Sequence, residues 1–311
     1  MENLILSVNV VLPLFLLMSA GYLTKQLKLY DMNTHAVMNR LVFKLFLPVL
    51  LFYNIYETSL DAEIDGSVFL FAVVSVLVMF GLLFAVIPLI EKENRRRGVL
   101  IQGIGRSNFV LFGMPMAEML CGGEMATTSL LVAVVVPMFN VLSVIALEVF
   151  RGGKVNFRKI LLGIAKNPLI ISSLLGLLAL AFGLRFPEPV DKAISDLAGI
   201  ATPFALFLLG GAMEFSRVGA NLRALAIGVV GKLLLVPLIF ITAAVICGFR
   251  GIDLVSMTVL FMAPTAVSSY TMAQQMDADG ELAGQQVVFT TAFSILTIFL
   301  IILIMKNLGL I

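Results

Sequence analysis

The stretch NFVLFGMPMAEM, residues 108–119, is apolar enough to lie in a bilayer, yet it holds a glycine and a proline two residues apart. Arg106 stands just upstream. Proline lacks an amide donor and clashes with the carbonyl one turn back, so a helix running through it is kinked or broken. It is also comfortable as the first residue of a new helix, so "GMP" reads as the start of a second half-helix. Interrupted backbone at membrane depth is tolerated only where protein groups or a wet cavity satisfy it. The stretch asks for a polar site inside a membrane protein.

Composition agrees. Of 311 residues, 60% are hydrophobic and 13% charged, against roughly 25% charged in a soluble domain. Runs long enough to cross about 30 Å of hydrocarbon number ten. Seven carry no charge: 3–24, 66–90, 125–147, 167–184, 197–213, 254–276 and 282–305. Three carry cations: 35–56 with Arg40 and Lys44, 98–117 with Arg106, and 224–249 with Lys232. Such long continuous runs exclude a β-barrel, and the short connections leave no room for a soluble domain. The expected fold is an all-α integral membrane protein of ten transmembrane helices. The first run lacks a basic leader and is long enough to span, so it reads as a retained helix and not a signal peptide. Counting Lys and Arg in the loops puts 14 of the 21 cations on one side and four on the other. The positive-inside rule then sends both termini outside, in a multi-pass cell-membrane orientation.

Five spans followed by five invite a search for an internal repeat. Pro13, Gly21 and Pro48 are spaced by 8 and 27 residues, and so are Pro168, Gly176 and Pro203. Pro88 to Pro115 is 27, and Pro237 to Pro264 is again 27. The offset is 155 for the first set and 149 for the second, a six-residue difference in one loop. Each half has an odd number of spans, so the copies, 1–150 and 151–311, are expected to be inverted in the membrane. That is a secondary-transporter architecture. Pro115 and Pro264 then mark broken helices 4 and 9, crossing at the midplane, whose half-helix ends favour an anion. The other in-span prolines, Pro13, Pro48, Pro88, Pro137 and Pro237, read as kinks.

Polar company singles out the crossing. Arg106, Ser107, Asn108 and Glu118 lie around the first break; Thr265, Ser268, Ser269, Tyr270 and Thr271 lie around the second. Ionisable groups within a bilayer are costly and mark pathways or sites. An arginine fork suits a carboxylate, so Arg106 reads as a ligand-facing or gating cation. The competing reading is structural: an ion pair with Glu118 or a contact with a freed carbonyl. Lys232 divides the same way, between a transport role and pairing with Glu214 or the Asp277, Asp279 and Glu281 cluster. Lys44 reads as snorkelling to the interface. Cys121 and Cys247 read as unpaired, and one histidine, His35, argues against metal chemistry.

The motifs RSNFVLFGMP, PMFN, NPLIISSLLGLL, ATPFALFLLGGAM, KLLLVPL and APTAVSSYTMAQQMDADGELAGQQVVFTTAFS together resemble the auxin efflux carrier family. Its bacterial members include permeases for malate and other organic acids. The resemblance spans nearly the whole chain and is not specific for substrate. It implies ten helices with outside termini and crossing helices 4 and 9. It also implies a dimer-forming scaffold from 1–60 and 158–216, and a moving transport domain from 66–150 and 221–306. The family's helix-4 asparagine matches Asn108, and its two prolines match Pro115 and Pro264. The long cytoplasmic loop of plant members is missing; only about 151–166 joins the halves.

The expected function is secondary transport of a small organic anion such as a carboxylate, by an elevator-like shift within a homodimer in the lipid bilayer. Candidate substrate-binding residues are Arg106, Ser107, Asn108, Gly113 and Pro115 from the first half. Asn140, Pro264, Thr265 and Ser268 complete the set. No cofactor, metal or nucleic-acid partner is expected, and the coupling ion stays open between proton and sodium. A cation-coupled exchanger on the same fold is the alternative. A membrane enzyme or receptor is disfavoured by the absence of H-E-x-x-H, paired metal-spaced aspartates or a signalling domain.

Overall fold

The computed structural model describes residues 2–58, 66–122, 126–151, 157–214 and 218–311, with backbone alone at 2–10 and 157–160. Lys154 and Arg217, two of the loop cations counted above, lie outside the described residues. The described chain is helical without a strand. In order come α1 (Glu2–Gln26), α2 (Met32–Tyr56), α3 (Gly66–Ile90), α4a (Asn94–Gly105), α4b (Phe109–Leu120) and α5 (Ala126–Val149). A short helix, Phe157–Ala165, leads into α6 (Pro168–Ala181), which Asn167 caps through Leu169 N. Then follow α7 (Glu188–Ala212), α8 (Val218–Ile246), α9a (Gly251–Met262), α9b (Ser268–Gln275) and α10 (Gly280–Asn307). Six helices among the described residues, α2, α3, α5, α7, α8 and α10, are long and apolar enough to cross a membrane, and α4b, α6 and α9a are shorter apolar helices.

Large apolar residues cover the outside as well as the core, and many polar groups are buried. Leucines such as Leu70, Leu174 and Leu238 are exposed, while Gln102, Asn140, Ser143, Thr290 and Ser294 are buried. Lipid provides the apolar surroundings, and the polar groups turn towards one another.

Small residues bring the helices together. A Cβ on Gly21 of α1 would lie 1.8 Å from the Phe207 carbonyl oxygen of α7, and one on Gly176 of α6 would lie 3.0 Å from that of Phe52 in α2. Only glycine permits the first approach, and the second leaves little room for a side chain. The two contacts exchange under the 155-residue offset, since Gly21 maps to Gly176 and Phe52 to Phe207.

The prolines behave less uniformly than their spacing. Pro48, Pro115 and Pro237 each follow a single widened π turn, at Val42–Phe46, Phe109–Gly113 and Gly231–Leu235. The missing amide and the ring's bulk disturb the turn before each proline, and a π bulge absorbs the misfit. Pro13, Pro88, Pro137 and Pro203 lie inside continuous helix. Only Pro264 falls in a true break, between Met262 and Ser268. The expectation that Pro115 starts the second half-helix is therefore corrected. The first break is at Arg106–Asn108, and Pro115 lies one π turn inside α4b.

Candidate functional site at the paired helix breaks

α4a ends at Gly105, and Arg106 leaves it extended at φ −86° and ψ 119°. α9a ends at Met262, followed by Ala263 at φ −62° and ψ 144°, the extended conformation favoured for a residue before proline. The two extended segments meet antiparallel, with Ser107 opposite Thr265. Asn108 N donates to the Pro264 carbonyl at 2.8 Å. Side chains satisfy further groups freed by the breaks. Thr265 N donates to Thr290 Oγ1 at 3.2 Å, Thr265 Oγ1 to the Gly103 carbonyl at 2.7 Å, and Gln102 Nε2 to the Ser269 carbonyl at 2.9 Å.

Arg106 is buried at this junction, 4% exposed. Its Nη2 donates to Asn140 Oδ1 at 2.6 Å, and its Nη1 contacts the sulfur of Met272. Among the described residues it has no carboxylate partner. Glu118, the acid offered as a structural partner in the competing reading, is exposed on α4b, so that pairing is overturned. Burying a cation without a counter-charge is costly, and Arg106 holds its position on two neutral partners.

A cavity of about 240 Å³ adjoins the guanidinium. Arg106, Ser107, Asn108, Pro115 and Ser268 line one side; Asn54 of α2 and Thr202 of α7 contribute from the other. Leu47, Leu50, Leu51, Val136, Phe139 and Leu169 make the remainder apolar. The volume is below the roughly 300–1,000 Å³ of drug-sized sites, which suits a small metabolite. Ser107 Oγ and Asn108 Nδ2 are buried and have no hydrogen-bond partner among the described residues. Buried polar groups are seldom left unpaired, so both remain available to a ligand.

Five of the nine expected residues thus line one cavity. The other four surround it. Asn140 holds Arg106, Pro264 and Thr265 join the two breaks, and Gly113 makes room for Phe109, whose Cδ2 would lie 2.4 Å from an added Cβ. Asn54, Thr202 and Met272 were not anticipated. Asn54 is a lone amide in an apolar run and Thr202 precedes Pro203 in ATPF, so both carried a weak signal; Met272 carried none.

Lys232 lies apart from this cavity, in the π turn of α8, 1% exposed and without an ion pair or hydrogen bond among the described residues. The cluster proposed as its partner is engaged elsewhere: Asp277 with Arg151, and Asp279 with Arg96 at 3.3 Å. A larger groove of about 500 Å³ between α8 and α10 is almost wholly aliphatic and offers an anion nothing.

A family described as "Membrane transport protein" matches residues 6–157 and 154–302. Over 300 residues, the chain is 27% identical to a protein named "Putative malonate transporter" in Rhizobium meliloti (strain 1021), covering 93% of each chain. It is 22% identical over 303 residues to an uncharacterised transporter of Methanocaldococcus jannaschii, covering 94% of this chain and 96% of the relative. With its interrupted helices, buried polar interior and full-length match, the chain belongs to this family of membrane transport proteins, the auxin efflux carrier family whose motifs it carries.

Proposed function

We propose that this chain is a secondary carrier for small carboxylates, malonate among them. The observation that carries the reading is Arg106: a buried guanidinium, without a carboxylate partner among the described residues, beside a small cavity lined by two unpaired polar groups. A carboxylate entering this cavity replaces lost hydration with the charge of Arg106, the amide of Asn108 and the hydroxyl of Ser107. Without such partners its desolvation opposes binding. The malonate named for the Rhizobium relative fits this chemistry.

Ten spans in two inverted repeats, with both termini outside a cell membrane, remain our reading of the topology. The exchange of the Gly21–Phe207 and Gly176–Phe52 contacts under one offset supports it. Helices α1, α2, α6 and α7 serve as scaffold, expected to dimerise, and α3–α5 with α8–α10 shift against it. The cavity takes Asn54 and Thr202 from the first group and Arg106 and Ser268 from the second, so such a shift opens it.

Purified protein in liposomes tests the reading. Radiolabelled malonate uptake, competed by other mono- and dicarboxylates, is expected above empty liposomes, together with ligand-dependent thermal stabilisation. Neither uptake nor stabilisation by any carboxylate would overturn it.

A further inference from the structure

Lys232 is a second ionisable group deep in the protein, separate from the anion cavity. It stands in a π turn, and such bulges recur at functional positions. Four residues before it, Gly228 packs on Gln286 of α10; a Cβ there would lie 2.6 Å from Gln286 Nε2. Residues four apart share a helix face, so Lys232 belongs to the face of α8 that meets α10. Gln286 is wedged from the other side by Gly103 of α4a, where a Cβ would lie 2.3 Å from its Oε1. This amide is fully buried, and neither its oxygen nor its nitrogen has a partner among the described residues. Gln286 thus packs on α8 one turn before Lys232, and a primary amide within reach of a lysine can serve both forms of the amine: its oxygen accepts from the ammonium, and its nitrogen donates to the neutral lone pair.

The same two helices carry polar groups from their ends towards this point. Asn221 of α8 donates to Gln285 Oε1 at 3.1 Å, and Gln285 donates to Glu281 at 3.2 Å. Beyond Gln286, Thr290 Oγ1 donates to the Gln286 carbonyl at 2.7 Å and accepts from Thr265 N. Polar groups of α10 thus flank Gln286 on both sides, towards the helix mouth and towards the paired breaks.

The charged groups on the elements packed against this turn are few. α4a bears Arg95, Arg96 and Arg97 at its start and leads into Arg106. α10 bears Glu281 and Lys306 near its ends, and α8 bears Arg223. Arg95 donates to the Asp277 carbonyl, Arg96 pairs with Asp279, Arg97 donates to the Glu91 carbonyl, and Arg223 donates to that of Ile90. No carboxylate on these elements lies deeper than Glu281. A lysine so enclosed keeps its charge only when a counter-charge or water reaches it.

Resting on the carrier reading above, we propose that Lys232 is the proton-carrying group of this transporter, gaining a proton as an anion enters the Arg106 cavity and losing it as the anion leaves. The proton comes from water on the loading side and bonds to the Nζ lone pair. The resulting ammonium offsets the anion's charge across the low-dielectric interior, and the proton returns to water on the other side. A single proton thus moves with each anion, and a proton gradient drives accumulation.

Proteoliposomes holding a trapped pH-sensitive dye test this with malonate as probe. The wild-type protein should acidify the lumen on malonate addition, and an inward acid gradient should raise malonate accumulation. Lys232→Gln and Lys232→Arg should lose the dye response and the gradient dependence, and Lys232→Arg, which keeps a fixed positive charge, should still exchange malonate for malonate and be thermally stabilised by it. A purely structural Lys232 would leave the protons moved per malonate unchanged in any variant that exchanges. That result overturns the proposal, as does wild-type uptake of malonate without protons, which needs no variant to fold. A wild-type protein that neither binds nor moves any carboxylate overturns the carrier reading instead, and this inference with it.

Discussion

Arg106 rests on an amide oxygen and a thioether, both neutral, in a position where a carboxylate would normally be required. Replacing it with glutamine removes charge and fork together and leaves a shorter neutral amide. Arg106→Gln should weaken malonate binding by about 2 kcal/mol, roughly 30-fold in Kd, as for a lost charge-assisted hydrogen bond. A neutral analogue should bind unchanged; titration calorimetry measures both. Slower transport at unchanged affinity would assign Arg106 to the entry route. Asn108→Ala removes an unpaired donor while its backbone still bonds Pro264, so folding should persist and affinity should fall by about 1 kcal/mol. Equal binding by the variant counts against Asn108 as a ligand. Arg106, Ser107 and Asn108 were legible because polar residues in an apolar run must be accounted for. The neutral anchoring of Arg106 was not legible, because Asn140 and Met272 reach it only through tertiary packing from 34 and 166 residues away.

At the scale of elements, proline spacing located related helices but not their local backbone. Pro115 and Pro264 are matched by offset, yet one follows a π turn and the other lies within the break. The difference shows in the neighbours: Ala263 is extended and the Pro264 carbonyl is taken by Asn108, whereas Met114 remains helical. Their substitutions should therefore differ. Pro264→Ala lets α9a propagate through the break and withdraws the paired carbonyl. Malonate uptake should fall roughly 10–100-fold, the cost of misplacing a site by about 1 Å. Pro115→Ala should relax a π turn and cost less, and Pro88→Ala least of all. Uptake assays on correctly folded variants rank them; equal damage at all three would indicate a general folding defect. The glycine contacts give a separate stability test. Gly21→Val and Gly176→Val each drive a side chain into a facing carbonyl, and each should destabilise by about 1–3 kcal/mol, read as a lower Tm.

For the whole molecule, the all-helical membrane class follows from run length and composition, since lipid demands that backbone polar groups be satisfied within apolar helices. The position of the site followed from polar residues in those runs, while its far wall, Asn54 and Thr202, depends on how α2 and α7 pack. The far wall matters because an elevator-like carrier must separate it from Arg106 and Ser268 in each cycle, exposing the cavity to one aqueous side and then the other. Ser268 lines the cavity at the start of α9b, so a cysteine there reports which side has access. The native Cys121 and Cys247 form no disulfide, and Cys247 is exposed, so both are first replaced by serine. In that background, Ser268→Cys should react with a membrane-impermeant maleimide in right-side-out and in inside-out vesicles. Malonate should slow the reaction by filling the cavity, and its gradient should change the ratio between the two orientations. A cysteine that reacts from one side only, whatever the malonate gradient, would mean that this cavity does not alternate. The elevator would then have to be abandoned even if uptake were measured.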